Sequence, residues 1–394
     1  MKKIGVITLY YRSKNLGGLL QSYAMVEVLN KLGYEAEQIR YDELKKLPID
    51  KKKKDVMLKI ELLKNVGIKK IVKKFIFIIR RKISKPQNRK IEKYVNVQNE
   101  VFADFENSIP HSEKVYDVFT SDEIANQYDG FVCGSDQVWN PNLILHSAYY
   151  LRFEKNANKK IAYAVSMGKN RLTKAEQVMF KDYIFDFQNI GVREDSLGQL
   201  VKSVVGTECA TVLDPTLLID SKEWLKIANE SIVPKEKYVF CYFLGESIWQ
   251  RNLVKKYAEQ NGLRIVDLPY IVKTCRACDS IINDISLYNV GPKEMISLIS
   301  SAECVFTDSF HATAFSVNFE KEFYVFNRND EKGEFSMNSR IVDFLADFKL
   351  SNRHVTNQSC EIRREKIDYS ICKRELKEKR SASMKWLENA LANV

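Results

Sequence analysis

The sequence has little of what flexible or membrane-spanning chains are built from. Eight prolines and fifteen glycines in 394 residues are too few for long flexible linkers. No uncharged apolar stretch approaches the length of a transmembrane helix. The longest near the basic region, Phe75-Ile76-Phe77-Ile78-Ile79, falls far short of a span. The run Ile4 to Tyr10 after Met1-Lys2-Lys3 is also short and lacks a small-residue cleavage site. It reads as a first strand and not as a signal peptide. The eight cysteines are scattered, and Cys275 and Cys278 form the only C-x-x-C. A structural zinc site needs a second pair, so these read as reduced thiols of a cytosolic protein. Cys133, Cys241 and Cys304 lie in apolar runs and read as small core residues.

What is present is apolar material and one block of positive charge. The hydrophobic fraction is 45%, with 21 Phe and 19 Tyr, which supplies real cores and excludes disorder. The net charge is +11. Residues 51–83 hold thirteen Lys or Arg against Asp55 and Glu61, which is also +11, so the remainder sums to zero. This is the pattern of a neutral, enzyme-like body with one basic element, not of a nucleic-acid binder. Val56, Leu63, Val66, Ile71 and Ile78 interleave with those lysines. That suits either a helix on an anionic membrane surface or an insertion on the first lobe with a solvated lysine face.

Short β-branched runs alternate with helical patterns along the chain. Strands are expected at Lys3 to Tyr10, Glu35 to Tyr41, Gly130 to Cys133, Lys160 to Ser166, Ile190 to Val192, Ala210 to Leu213, Tyr238 to Phe243, Leu263 to Leu268, Cys304 to Thr307 and Phe323 to Phe326. Such alternation means right-handed crossovers on parallel sheets. About ten strands exceed one compact half. The expected fold is α/β: two doubly wound parallel-sheet domains facing a cleft. The N-terminal domain is expected over 1–188, with the basic helical insertion at about 45–105. The C-terminal domain is expected over 189–365, and a helix over 366–394 that can pack across both lobes.

Five segments can carry chemistry. In Cys304 to Phe315 a buried strand ends at Thr307, and Asp308 or Ser309 can cap a helix starting near Phe310. That helix start offers free N–H groups and partial positive charge to a phosphate or carboxylate, with His311 in its first turn. Arg193 follows the strand at Ile190 and can fork onto an anion or pair with Glu194. Gly134 to Pro141 brings Ser135, Asp136, Gln137, Trp139 and Asn140 after another strand. Hydroxyl-binding groups and an aromatic platform are what a sugar site needs; a capped surface turn is the plainer alternative. Asn15, Gly17 and Gly18 after the first strand let a ligand approach the backbone, without a G-x-G-x-x-G pattern. Asp214, before Pro215, ends a strand and can direct a carboxylate into the cleft, or simply begin a turn.

Taken together in chain order, the segments resemble the polysaccharide pyruvyl transferase family. The resemblance rests on Asn15, Gly17, Gln21, Tyr23 and Ala24, on Gly134 to Asn140, and on Ile161 to Ser166. It continues through Val192-Arg193-Glu194, Asp214-Pro215-Thr216 and Asp308-Ser309-Phe310-His311, and covers roughly residues 1–330. Ala312 stands where glycine is common, and residues 45–100 match nothing distinctive. The resemblance implies a fold like that of two-lobed (GT-B-like) glycosyltransferases. It also implies transfer of pyruvate from phosphoenolpyruvate to a sugar of a polysaccharide, or of its lipid-linked precursor, as a ketal with release of phosphate. It associates Arg193 and His311 with phosphoenolpyruvate.

The site expected on this basis has His311, Arg193 and Asp214 as catalytic residues, with Ser309 joining Arg193 and His311 around the donor. Asn15, Gly17, Ser135, Asp136, Gln137, Trp139 and Asn140 are expected at the acceptor. His311 is the candidate acid or phosphate ligand, and Asp214 or Asp136 the candidate base. No cofactor and no obligatory metal are expected, since no Asp-x-Asp dyad stands in a convincing context. The expected location is the cytoplasm, with peripheral contact to an anionic membrane through residues 51–83. Two other readings fit the pattern. One is a nucleotide-sugar glycosyltransferase, with Glu294 or Glu322 on a ribose; the other is a non-catalytic sugar- or anion-binding scaffold.

Overall fold

The computed structural model describes residues 1–43, 89–143, 146–168, 171–270, 276–328, 339–357, 362 and 365–394. The basic segment 51–83 and Cys275 lie outside these, so neither reading of that segment meets a structural observation. Twelve described strands form two all-parallel, six-stranded sheets.

The first sheet holds β1 (Lys3–Ile7), β2 (Glu35–Gln38), β3 (Gly130–Cys133), β4 (Lys160–Val165), β5 (Asn189–Val192) and β6 (Ala210–Thr211), in the order β2-β1-β3-β4-β5-β6. The second holds β7 (Tyr238–Tyr242), β8 (Arg264–Asp267), β9 (Ile285–Ser286), β10 (Cys304–Thr307), β11 (Glu322–Phe326) and β12 (His354–Val355), in the order β12-β11-β10-β7-β8-β9. Central strands such as β3, β4, β7 and β10 are buried along their whole length. That is why they read as continuous apolar runs and not as alternating ones. The expected pair of doubly wound parallel sheets is therefore present, and all ten expected strands occur. The two that the sequence did not signal, β9 and β12, have two residues each and carry no periodic pattern.

One boundary needs correction. The break expected between residues 188 and 189 cuts through a single sheet. Ile161 is in register with Asn189 across β4 and β5, and Gly191 with Ala210 across β5 and β6. Arg193 and Asp214 thus follow strands of the first sheet, not of the second. A hydrophobic run announces a strand, but which sheet it joins depends on non-local pairing that the run does not encode.

In each lobe the strand order reverses once: between β1 and β3 in the first, and between β7 and β10 in the second. Crevices open at the carboxyl ends of strands at such points. The lobes are joined by an apolar seam. Trp224, fully buried, meets Tyr23 at 5.7 Å between ring centroids and Phe315 at 5.0 Å. The last helix, Tyr369–Ala392, crosses the seam. Tyr369 donates to the Lys321 carbonyl in the second lobe, while Ser383 accepts from the Leu213 N–H at 3.0 Å and Trp386 packs on Gly191 in the first.

Candidate active site

The carboxyl ends of β3, β4, β5 and β6 converge on one buried cluster. After β3 the backbone passes so close to β4 that a Cβ on Gly134 would lie 2.1 Å from the Tyr163 carbonyl oxygen, and its φ is +113°. Only glycine fits there. In β4, Ala164 takes a left-handed conformation (φ +49°) where the β4–β5 register shifts. Its carbonyl then lies 3.0 Å from the Ser135 hydroxyl. Ser135 and Asp136 are thereby fixed beneath the cleft and are almost wholly buried.

Arg193, directly after β5, is saturated by carboxylates. Its Nη1 donates to Asp214 Oδ2 at 2.9 Å, its Nη2 lies 3.4 Å from Asp136 Oδ1, and its Nε 3.3 Å from Glu194 Oε1. Its guanidinium stacks 4.3 Å above the Phe310 ring. Glu194 also accepts from Ser166 at 2.6 Å. Burial would favour neutral Arg193, but Glu194, Asp136 and Asp214 raise its pKa above the ordinary arginine value.

Asp214 caps the short helix Pro215–Leu218. Its Oδ1 accepts from the Thr216 N–H at 3.1 Å and hydroxyl at 2.8 Å. Its Oδ2 receives Arg193 and lies 2.8 Å from the Ser135 hydroxyl. Burial alone would push this carboxyl up; His311, Arg193 and the Thr216 N–H outweigh it and hold the group well below the usual carboxylate range. Asp136 is likewise held low, its burial offset by Arg193, His311 and Arg340.

From the second lobe, the helix Phe310–Asn318 points its start at this cluster. Neither candidate cap is used. Ser309 occupies the cap position without a side-chain bond, and both Asp308 oxygens accept from the β7 loop, at 2.8 Å from Leu244 N and 2.7 Å from Gly245 N. The first-turn N–H groups keep their partial positive charge without a capping side chain. His311 is 6% exposed, and its Nε2 lies 3.7 Å from Asp214 Oδ2 with no hydrogen-bond partner. Its other face rests on Gly17, where a Cβ would lie 2.1 Å from Nδ1.

The structure therefore brings His311, Arg193, Asp214, Asp136, Ser135 and Ser309 to one place, and Gly17 with them. It separates several residues expected at the acceptor. Gly17 is the wall behind the imidazole. Asn15 caps the first helix, Leu16–Lys31, its Oδ1 accepting from Gly18 N at 3.2 Å. Trp139 offers no platform: it is fully buried, stacked on Tyr150 at 5.9 Å and edge-on to Phe180 at 5.5 Å. The polar residues around it in sequence made it look like a site aromatic, but its side chain points into the first-lobe core.

Gln137 and Asn140 do line a crevice, of about 480 Å³, at the switch point between β1 and β3. Its other walls include Tyr11, Arg12, Lys14, Asp42, Glu43 and Tyr149. These were not singled out from the sequence, although Tyr11 to Lys14 follow β1 and Asp42 and Glu43 follow β2, where strand ends meet a cleft. Arg340, in the helix Ser339–Asp347, was also missed. It lines a cavity of about 70 Å³ beside Arg193, Asp214 and Phe310. The two acids considered for a ribose are occupied: Glu294 accepts from Gly291 N at 2.9 Å and Asn229 at 2.7 Å, and Glu322 from Ile367 N at 2.6 Å while pairing with Arg353 at 3.3 Å.

The family model described as polysaccharide pyruvyl transferase matches residues 15–330. No curated protein matches the chain by sequence. Among solved structures, UDP-GlcNAc 2-epimerase from Methanocaldococcus jannaschii is similar at 10% identity and a TM-score of 0.49, over 97% of this chain and 92% of that one. UDP-GlcNAc 2-epimerase from Neisseria meningitidis is similar at 12% identity and 0.43, over 98% and 99%. MurG from Acinetobacter baumannii is similar at 7% identity and 0.43, over 99% and 94%.

Proposed function

The chain belongs to the polysaccharide pyruvyl transferase family, and on that premise we propose that it moves pyruvate from phosphoenolpyruvate onto two hydroxyls of one sugar, as a ketal, with release of phosphate. The observation that carries the reading is His311. Its Nε2 is buried and without a hydrogen-bond partner, 3.7 Å from an anionic carboxylate, at a helix start whose N–H groups have no side-chain cap. Such a group has something to donate, and a neighbouring site prepared to hold an anion.

In this reading the donor's oxyanions face the helix start at Ser309 and Phe310. His311 delivers a proton to the methylene carbon, which becomes the methyl of the ketal. Positive charge then develops at the adjacent carbon, and the first sugar hydroxyl adds there. The neutral imidazole takes up that hydroxyl's proton. The second hydroxyl displaces the phosphate, which leaves with the remaining proton, so atoms and protons balance. Asp214 acts behind His311 as an anchor and counter-charge and not as a base, because a carboxyl held this low is a weak proton acceptor. Asp136 is set aside as base for the same reason. Arg193 holds both carboxylates in place and stacks on Phe310, the residue that leads into His311.

The acceptor in this reading is a sugar of a polysaccharide or its lipid-linked precursor. The crevice at Gln137 and Asn140 supports it: amides, the carboxylates Asp42 and Glu43, and the rings of Tyr11 and Tyr149 are the groups that hydroxyl-rich ligands engage. The test is phosphate release from phosphoenolpyruvate that depends on an added sugar acceptor, run beside a panel of nucleotide-sugars. Release only with both substrates present supports the reading. Turnover of a nucleotide-sugar alone replaces it with the glycosyltransferase reading, and no turnover of either leaves the binding scaffold.

A further inference from the structure

Arg193 is the guanidinium that the sequence points to, yet three carboxylates already hold all of its nitrogens. The position of Arg340 is the opposite. It is 8% exposed, and among the described residues no carboxylate lies within ion-pair distance of it. Its Nε is buried with no hydrogen-bond partner. With the Gln137 carboxamide oxygen turned toward it, Nη1 and Nη2 donate at 2.9 and 3.0 Å to that one neutral group. A buried cation with so little compensation is costly unless something anionic joins it.

Resting on the donor reading above, we propose that Arg340 is a direct ligand of the donor: its guanidinium forks onto a carboxylate or phosphate oxyanion bound between the two lobes. Arg340 lines the cavity shared with Arg193, Asp214 and Phe310; Asp195, Asp343 and Asp347 line it too, so the proposed oxyanion is confined to the side of Arg340 and Arg193, near the residue that precedes His311. The cavity's volume is about 70 Å³, room for an oxyanion group once water leaves. Burial and the nearby Arg193 push the Arg340 pKa down to about 10, and the more distant Glu194 and Asp136, both already engaged by Arg193, only partly offset them. Gln137 faces Arg340 on one side and walls the crevice at the β1–β3 switch point on the other. The same amide thus links the proposed donor ligand to the proposed acceptor pocket. Arg340 lies beyond residue 330, outside the span matched by the family model.

The experiment uses the full chain and measures binding of phosphoenolpyruvate and, separately, of inorganic phosphate, by thermal shift and calorimetry. The variants are Arg340→Met and Arg340→Lys. Arg340→Met is expected to melt no lower than wild type without ligand, since it removes a buried charge that has no direct ion pair, at similar volume. Its phosphoenolpyruvate Kd is expected to rise about tenfold or more, the loss of one forked, charge-assisted contact. Arg340→Lys keeps the charge but not the fork and is expected to fall between. In turnover the larger rise belongs to the donor KM, with at most a smaller one in the acceptor KM through the released Gln137, a split that a merely structural residue would not give. Wild-type phosphoenolpyruvate affinity in both variants overturns the proposal. Should Arg340→Met not fold, the lysine variant decides by the same criterion. If wild type binds phosphate but not phosphoenolpyruvate, the donor reading fails, and Arg340 is judged on the phosphate Kd alone. If wild type binds neither, both fail.

Discussion

His311 Nε2, carried by the second lobe, lies 3.7 Å from Asp214 Oδ2 of the first. That one oxygen also receives Arg193 Nη1 at 2.9 Å and lies 2.8 Å from the Ser135 hydroxyl. The histidine's anchor is therefore a carboxylate fixed by its own sheet, and the geometry between them depends on how the lobes close.

Asp214→Asn removes the counter-charge while keeping the shape. Turnover is expected to fall roughly 10²–10⁴-fold, the range of general acid–base contributions, with a smaller effect on donor affinity. The same substitution has a signature in stability. The folded Asp214 carboxyl is held below its unfolded value of about 3.9. Its contribution is therefore complete above that value and is lost as pH falls through it toward the folded pKa. The Tm gap between wild type and Asp214→Asn is expected to be constant near neutrality and to narrow below about pH 4. A gap that widens on acidification would contradict the assigned sign.

Gly17→Ala puts a methyl where the imidazole now is, 2.1 Å from Nδ1. Since Gly17 opens a helix and His311 opens another, the side chain must give way. Overpacking of this kind costs about 1–3 kcal/mol. Activity is expected to fall by far more than stability, because His311 loses its line to Asp214. The check is a double mutant: Gly17→Ala added to His311→Ala is expected to cost little further activity. Full additivity would show that Gly17 acts elsewhere.

Much of this was legible because strands and their ends are local. The runs at β3, β5 and β10 marked where Asp136, Arg193 and His311 emerge, and the α/β alternation marked two doubly wound sheets. What was not legible depended on partners. β5 and β6 carry no sign that they extend the first sheet. Trp139, flanked by polar residues, gives no local sign that it faces a core. Arg340 sits in a short amphipathic helix, where an arginine ordinarily faces solvent, and its burial beside Gln137, Arg193 and Asp214 rests on partners distant in sequence.

Trp139 and Asn140 are neighbours with opposite roles. Trp139→Phe is expected to destabilise the fold by about 0.5–3 kcal/mol, read as a lower Tm, and to leave the acceptor KM near wild type. Asn140→Ala is expected to do the reverse, raising the acceptor KM several-fold at an unchanged Tm, since Asn140 lines the crevice. An acceptor KM that rises as much for Trp139→Phe as for Asn140→Ala would restore the tryptophan as a sugar platform.

Divalent cations in transferases are held by convergent carboxylates that would otherwise repel one another. Here Asp136, Glu194 and Asp214 do converge, but on the Arg193 guanidinium, which lies 2.9–3.4 Å from an oxygen of each. Their charge is offset by that guanidinium, and further by His311 and Arg340 nearby, groups that cannot be dialysed away. Chelation with EDTA is therefore expected to leave turnover unchanged, and added magnesium to give no more than a salt effect. Arg193→Ala sharpens the test, because it unbalances three buried acids: donor-dependent turnover should be lost, and the acids, no longer paired, should raise the variant's affinity for divalent ions. Wild-type turnover that falls on chelation and returns with magnesium would show that the guanidinium does not replace a metal at this site.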